Sequence, residues 1–197
     1  MAETLTKKGR QTRQRIIQGA AAEIRENGLS ETTLDDIRTR TQTSKGQLFH
    51  YFPEGKDQLL LEVAHHEAQR VLDDQQPHLG QLATWQAWRA WRDAVIRRYQ
   101  QQGRTCPLSV LMTELGRSTP AAQAVTTALI NQWELYLVDG IRAMQRTGRI
   151  SAGIDAERAG KALLSGVQGG VSIMLATGSL AHLEAAIDTS IAGLRQA

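Results

Sequence analysis

Apolar residues recur at spacings of three and four along nearly the whole chain, strict alternation is absent, and only four prolines interrupt it. The pattern predicts an almost entirely helical, all-α protein. A first helix is predicted from about Thr12 to Glu26, with Ile16, Ile17, Ala20, Ala21 and Ile24 on one face and Asn27-Gly28 as a left-handed stop. Thr33 caps a second helix, because Asp36 three residues later completes a capping-box-like pair with Asp in place of the usual Glu. That helix turns Leu34 and Ile37 inward and Arg38 and Arg40 outward. Ser44 caps a third, with Leu48 and Phe52 inside, Lys45, Gln47 and His50 outside, and Pro53 at its end.

A longer helix is predicted from Lys56 to Gln76, where Pro77 stops it, and its position suits a connector. Further helices are predicted over Ala83 to Gln101, Leu108 to Arg117, Pro120 to Arg146, Ala156 to Ala176 and Leu180 to Arg195, with Gly103, Gly148, Gly153 and Gly178 marking breaks. The expected organisation is a three-helix head over residues 10–56, with a helix-turn-helix at 33–52, and a larger helical domain over 57–197.

Charge sharpens this division. The 197-residue chain carries a net charge of +3. Up to Lys56 it has ten Lys/Arg against seven Asp/Glu, and beyond it thirteen of each, so the whole excess lies at the N-terminal end. Lys7, Lys8, Arg10, Arg13 and Arg15 suit an arm and first helical turn near a polyanion; a solvated tail is the plain alternative. The single cysteine, Cys106, excludes an intramolecular disulfide. No apolar run is long enough to span a bilayer and no apolar signal core opens the chain, so the default expectation is a cytoplasmic protein without membrane contact.

A helix-turn-helix needs a bracing helix, a tight turn and a second helix that offers small or polar side chains to base edges. Residues 33 to 52 supply each part. Thr33, at a helix N-terminus, can offer its hydroxyl and nearby backbone N–H groups to a phosphate. Thr43, Ser44, Lys45, Gly46 and Gln47 occupy the turn and the first exposed turn of the reading helix; Gly46 permits close approach to a groove, and Lys45 and Gln47 carry donors and acceptors for base edges. His50, Tyr51 and Lys56 are expected to grip the phosphate backbone.

The segment Ile16 to Leu60 resembles the DNA-binding domain of tetracycline-repressor (TetR) type transcriptional regulators. The likeness rests on Ile16-Ile17, the Asn27-Gly28 stop, Thr32-Thr33-Leu34-Asp35-Asp36-Ile37 and above all Ser44-Lys45-Gly46-Gln47-Leu48-Phe49-His50-Tyr51-Phe52. Three departures stand out: Phe49 where the family commonly has Tyr, so a hydroxyl contact to phosphate is lost; Ile24 in place of a frequent Phe; and one extra residue in Pro53-Glu54-Gly55-Lys56, as in a subgroup with Pro-Gly-Gly-Lys. The resemblance implies a homodimeric repressor that binds a double-stranded DNA operator, an inverted repeat, through two heads. It also implies a C-terminal domain that dimerises and encloses a small-molecule effector, and it implies no cofactor.

Two stripes bear on dimerisation. Ala162, Gly166 and Gly170 form a small-residue stripe at spacing four, and Leu183, Ile187, Ile191 and Leu194 an apolar one. Either they face a second copy, as the resemblance implies for the last two helices, or they close the chain's own core. For an effector site, Trp85, Trp88, Trp91, Val95 and Tyr99 fall on one helical face, concentrating three of the four tryptophans in fifteen residues. Leu108, Met112, Trp133, Leu137, Met144, Val167 and Met174 are candidates to stand across from it, suiting an aromatic effector; an ordinary packed core is the plain alternative. Arg92 falls in the aromatic sector and would need a partner if buried, with Glu114, Glu134 or an acidic effector as candidates, or else it reaches water.

Other constellations carry less. His65-His66 with Glu62 hints at a metal site, but adjacent histidines on a helix point apart. There is no glycine-rich phosphate loop, no paired catalytic carboxylates and no nucleophile elbow, so no enzyme is expected. The competing functions are a DNA-binding dimer with no small-molecule effector, and a helical ligand-binding protein or enzyme.

Overall fold

A computed structural model describes residues 5–103 and 106–196. Among these residues there are nine helices and no strand. They are α1 (Lys7–Asn27), α2 (Leu34–Thr41), α3 (Lys45–Tyr51), α4 (Lys56–Asp73), α5 (Trp85–Gln102), α6, α7 (Pro120–Arg146), α8 (Ala156–Thr177) and α9 (Ala181–Gln196). α6 is composite: Pro107–Val110 passes through a π-helical turn at Leu111–Leu115 into a last turn at Gly116–Ser118. The predicted span of α7 is met at both ends. α1 starts five residues earlier than expected, because Thr6 Oγ1 accepts from the Gly9 N–H at 3.1 Å and caps it. α4 ends three residues before the expected Gln76.

The described residues divide into two compact units. The first lies within Met1–Arg70 and Pro107–Thr127, the second within Val71–Cys106 and Ala128–Ala197. The first therefore takes in α4 as far as Arg70, and α6, beyond the head read from sequence.

In the first unit Ile16, Ile17, Ala20 and Ile24 of α1, Ile37 of α2, Leu48 of α3, Phe52 and Leu59 and Val63 of α4 are all buried. Each such large side chain contributes about 1.5–3 kcal/mol by leaving water. α1 and α2 meet closely at Gly19, where a Cβ would lie 2.2 Å from Thr41 Cγ2, so a larger residue would force the bracing helix away. Arg40 of α2 turns back onto Glu23 and Glu26 of α1, a network that raises its pKa through hydrogen bonds to Glu26 and Glu23. A buried ion pair joins the end of α1 to α4: Arg25 Nη1 meets Glu67 Oε1 at 2.5 Å, and Glu67 is fully buried.

The second unit is a bundle of α5, most of α7, α8 and α9. Small residues let its helices touch: Gly140 of α7 against Leu82, Gly160 of α8 against Val138, and Gly170 of α8 against Leu183 of α9, with Cβ clearances of 2.5, 2.8 and 2.5 Å. Gly178, at φ 80°, supplies the left-handed cap of α8. No helix among the described residues is long and apolar enough to cross a membrane.

Candidate nucleic-acid interface and C-terminal core

α3 is only seven residues long and is held at both ends. Ser44 Oγ accepts from the Gln47 N–H at 3.1 Å, and Gln47 Oε1 accepts from the Ser44 N–H at 3.2 Å, a reciprocal capping box. Leu48 and Phe52 seat the helix in the core. Lys45, Gly46 and Gln47 are left exposed on its first turn, followed by His50. Because the Gln47 carbonyl oxygen serves the cap, its NH2 group is the end free to be presented. Two donors suit an acceptor-rich base edge such as guanine O6 and N7, whereas bidentate adenine contact requires both ends of the amide.

Two shallow clefts flank this helix. One of about 490 Å³ is lined by Asp35, Arg38, Thr39, Gln42, Thr43 and Ser44, and one of about 250 Å³ by Thr33, Leu34, Asp35, Arg38, Lys45, Leu48 and Phe49. Asp35, Thr39 and Gln42 were not singled out from sequence. Gln42 takes the left-handed conformation at φ 48° and ends α2, a role that its residue type does not announce. Arg38 pairs with Asp35 at 2.5 Å, so α2 presents an acid beside a base.

Several expected phosphate contacts need correction. Thr33 donates both its hydroxyl, at 2.6 Å, and its N–H, at 2.9 Å, to Asp36, whose carboxyl these bonds hold below the usual carboxylate range. Its donors are thus committed to the cap. Thr43 is 5% exposed and its hydroxyl donates to the Thr41 carbonyl at 3.2 Å, because the turn between α2 and α3 passes inward there. Lys56 Nζ donates to the Thr32 carbonyl at 2.7 Å, which holds its ammonium at the start of α2 with two N–H groups to spare. Gly55, at φ 75°, absorbs the extra connector residue. Phe49 is 40% exposed, and Tyr51 is half-buried with its ring edge-to-face against His50 at 4.9 Å.

The basic N-terminal run lies on α1 rather than in an arm. Arg13 pairs with Glu62 at 2.6 Å and lies over the Phe52 ring, and Arg15 donates to the Thr41 carbonyl at 2.7 Å. Lys7, Lys8 and Arg10 stay exposed. Glu62, the carboxylate nearest His65 and His66 in sequence, is engaged by Arg13; no group of three metal-binding side chains occurs among the described residues.

In the second unit Trp88, Trp91, Trp133, Leu137, Met144, Val167 and Met174 are all buried, so the aromatic stripe and its expected counterparts share one core. Trp85 departs from the expectation: it is half-exposed, with the Arg195 guanidinium 4.6 Å above its ring. Met112 belongs to the first unit, and the Leu108 side chain lies outside the described residues. Arg92 pairs with neither Glu114 nor Glu134. It forms a fork with Asp188 of α9 at 2.9 and 2.8 Å, which raises its pKa, beside an open groove of about 470 Å³ that includes Arg89, Asp93, Ile191, Ala192 and Arg195.

The expected dimer stripes are largely consumed within the chain. Leu183 and Ile187 are fully buried, Ile191 and Leu194 nearly so, and Gly170 and Gly166 face Leu183 and Ala186 of the chain's own α9. Burial against α8 and α5 leaves these side chains little surface for a second copy; of the two stripes only Ala162 is exposed.

Residues 16–63 match the profile of bacterial regulatory proteins of the tetR family, and residues 81–190 that of a tetracyclin repressor-like C-terminal domain. An uncharacterised HTH-type transcriptional regulator of Mycobacterium tuberculosis, Rv0196, is 28% identical over 146 residues, which span 66% of this chain and 71% of that protein. Among solved structures, a TetR transcriptional regulator from Chloroflexus aurantiacus is similar with a TM-score of 0.84 at 23% identity, covering 97% of this chain and 98% of that one. The triclosan complex of SmeT, the repressor of a Stenotrophomonas maltophilia multidrug efflux pump, is similar with a TM-score of 0.72 at 21% identity, covering 93% and 91%.

Proposed function

Since the chain belongs to the tetR family of bacterial regulatory proteins, we propose that this DNA-binding transcriptional regulator is a homodimeric cytoplasmic repressor that a small molecule releases from its operator. The observation that carries the operator-binding part is the first turn of α3, where Lys45, Gly46 and the Gln47 amide stand exposed on a helix pinned by its own capping box. Lys45 and Gln47 read base edges, Gly46 lets the backbone approach, and Ser44, His50, Tyr51 and Lys56 set the register against phosphates. Thr43 shapes this surface from within, and Thr33 through its exposed cap with Asp36. One head offers few phosphate contacts, so two heads on an inverted repeat are required for useful affinity. The dimer surface is the outward side of α8 and α9, where Ala162, Gly169 and the 38%-exposed Ile173 are unburied.

The aromatic core of the second unit is the effector site. Ligand binds better to the conformation whose heads are mis-spaced, so by linkage it lowers operator affinity. The triclosan complex of SmeT supports starting with that compound.

The test is fluorescence anisotropy on labelled DNA from upstream of the gene. Tight binding with a steep salt dependence is expected, and Lys45→Ala should weaken it at least tenfold and lower the salt slope by about one. Binding that ignores both salt and Lys45 would overturn the reading head. Adding triclosan and related aromatics to the formed complex should release DNA; ligands that bind without release would overturn the sensing role.

A further inference from the structure

Three tryptophans are buried in the second unit, and they are not treated alike. Trp91 Nε1 donates to Gln75 Oε1 at 3.0 Å, and Gln75, itself buried, donates onward to the Val71 carbonyl at 2.8 Å. Trp88, one turn earlier on the same helix, and Trp133 on α7 are 0% and 1% exposed, yet neither indole N–H has a hydrogen-bond partner among the described residues. A buried indole N–H ordinarily finds an acceptor. The chain dedicates a buried glutamine to one of the three and leaves the other two N–H groups unmatched.

These two donors lie within about two helical turns of each other along the bundle. Arg142 meets Glu157 and Gly160 meets Val138 between α7 and α8; Gly166 meets Ala186 and Gly170 meets Leu183 between α8 and α9; Arg92 meets Asp188 and Arg195 meets Trp85 between α9 and α5. Each contact ladder runs antiparallel, so α5 and α7 are antiparallel too. Followed through these ladders, Trp88 lies level with Gly160 of α8 and hence Val138 of α7, and Trp133 lies five residues before Val138, about 7.5 Å at 1.5 Å per residue. No charged side chain is buried among the described residues of this unit, although Gln168 Oε1 of α8 is a buried acceptor that likewise has no partner.

We infer that the Trp88 and Trp133 indole N–H groups are the polar contacts of the effector site, which takes an uncharged aromatic molecule bearing a hydrogen-bond acceptor such as a carbonyl or ether oxygen. A charged ligand would find no counter-ion, and a pure hydrocarbon would leave both donors unmatched. This inference rests on the effector-sensing role proposed above for the same core.

The test uses the full-length protein with its four tryptophans labelled with nitrogen-15 and titrated with benzophenone or with diphenylmethane, the same skeleton without the carbonyl. Benzophenone is expected to move the Trp88 and Trp133 indole N–H resonances downfield, to leave that of Trp91 in place, and to bind about tenfold more tightly than diphenylmethane. Equal affinities, binding that leaves both resonances still, or no binding of the ketone at saturation would each overturn the assignment. Operator release is followed in parallel. A ketone that engages both indoles but leaves the DNA complex intact upholds the donor pair and removes its regulatory role; ligands that release DNA without moving the indoles do the reverse.

Discussion

Ser44 and Gln47 hold each other at the start of α3: each backbone N–H is accepted by the other's side-chain oxygen, at 3.1 and 3.2 Å. Capping and reading are therefore divided within one side chain, the Gln47 oxygen serving the helix and its nitrogen facing out. Gln47→Glu separates them. The carboxylate keeps the cap acceptor and adds negative charge at a helix N-terminus, so the thermal midpoint should hold or rise slightly. Operator affinity should fall at least tenfold, because both outward donors are lost and a like charge faces phosphate. Anisotropy titration beside a melting curve checks this; undiminished affinity would reduce Gln47 to a cap.

Gly46 is exposed on the same turn, and a Cβ there would meet only Ser44 Oγ, at 4.0 Å. The fold itself does not require glycine at this place. Gly46→Ala should raise the stability of the head by up to about 1 kcal/mol through helix propensity. The same methyl group would stand between the helix and a groove, so operator binding should weaken as stability rises. Opposite movement of the two measurements is the signature. A stabilised variant with full affinity would show that close approach is not needed.

Short-range chemistry is what the chain displays most openly. The Thr33–Asp36 box and the Ser44 cap were legible because each is local, though the return of Gln47 Oε1 to the Ser44 N–H was not read, and Pro120 with Gly148 bracketed α7 correctly. The start of α1 at Lys7 was missed because a basic run with a glycine in it looks like a tail until Thr6 is known to cap it. The burial of Thr43 was hidden for a similar reason, since a hydroxyl residue in a turn reads as solvated. Longer range hides more. Arg92 finds Asp188 across 96 positions, and Trp85 is covered by Arg195 rather than by the core; neither pairing has a periodicity to betray it. The unmatched indoles are a fact of packing with no counterpart in residue spacing.

His66, half-buried on α4, has its imidazole held below the usual pKa of 6.5, first by burial, against the opposing pull of Glu67, with the charges of Arg70 and Arg25 lowering it further. The folded protein thus binds fewer protons at this site than the unfolded chain. The resulting stability is complete above about pH 6.5 and is lost as pH falls through that value toward the folded pKa. Urea midpoints at pH 7.5, 6.5 and 5.5 should decline for the wild type and decline less for His66→Gln. Parallel curves would place the titrating group elsewhere.

Glu114 reaches back across 85 positions: its Oε2 accepts a hydrogen bond from the Leu29 N–H at 2.6 Å, just beyond the end of α1. Both residues belong to the first unit. The Leu29 N–H follows the left-handed Gly28 and lies past the last turn of α1, so a side chain from elsewhere must satisfy it or water will. Glu114 stands within the π-helical turn Leu111–Leu115, and an extra residue in a helical turn re-aims the side chains that follow it. The bond is charge-assisted but exposed, which argues for about 1 kcal/mol. Glu114→Ala should therefore cost a few degrees in the melting temperature and speed deuterium exchange at the Leu29 amide, with α2 and α3 amides unaffected. Glu114→Gln keeps an acceptor without the charge and should recover much of the protection. If the Leu29 amide exchanges equally fast in all three proteins, the contact contributes nothing in solution and the π turn needs another explanation.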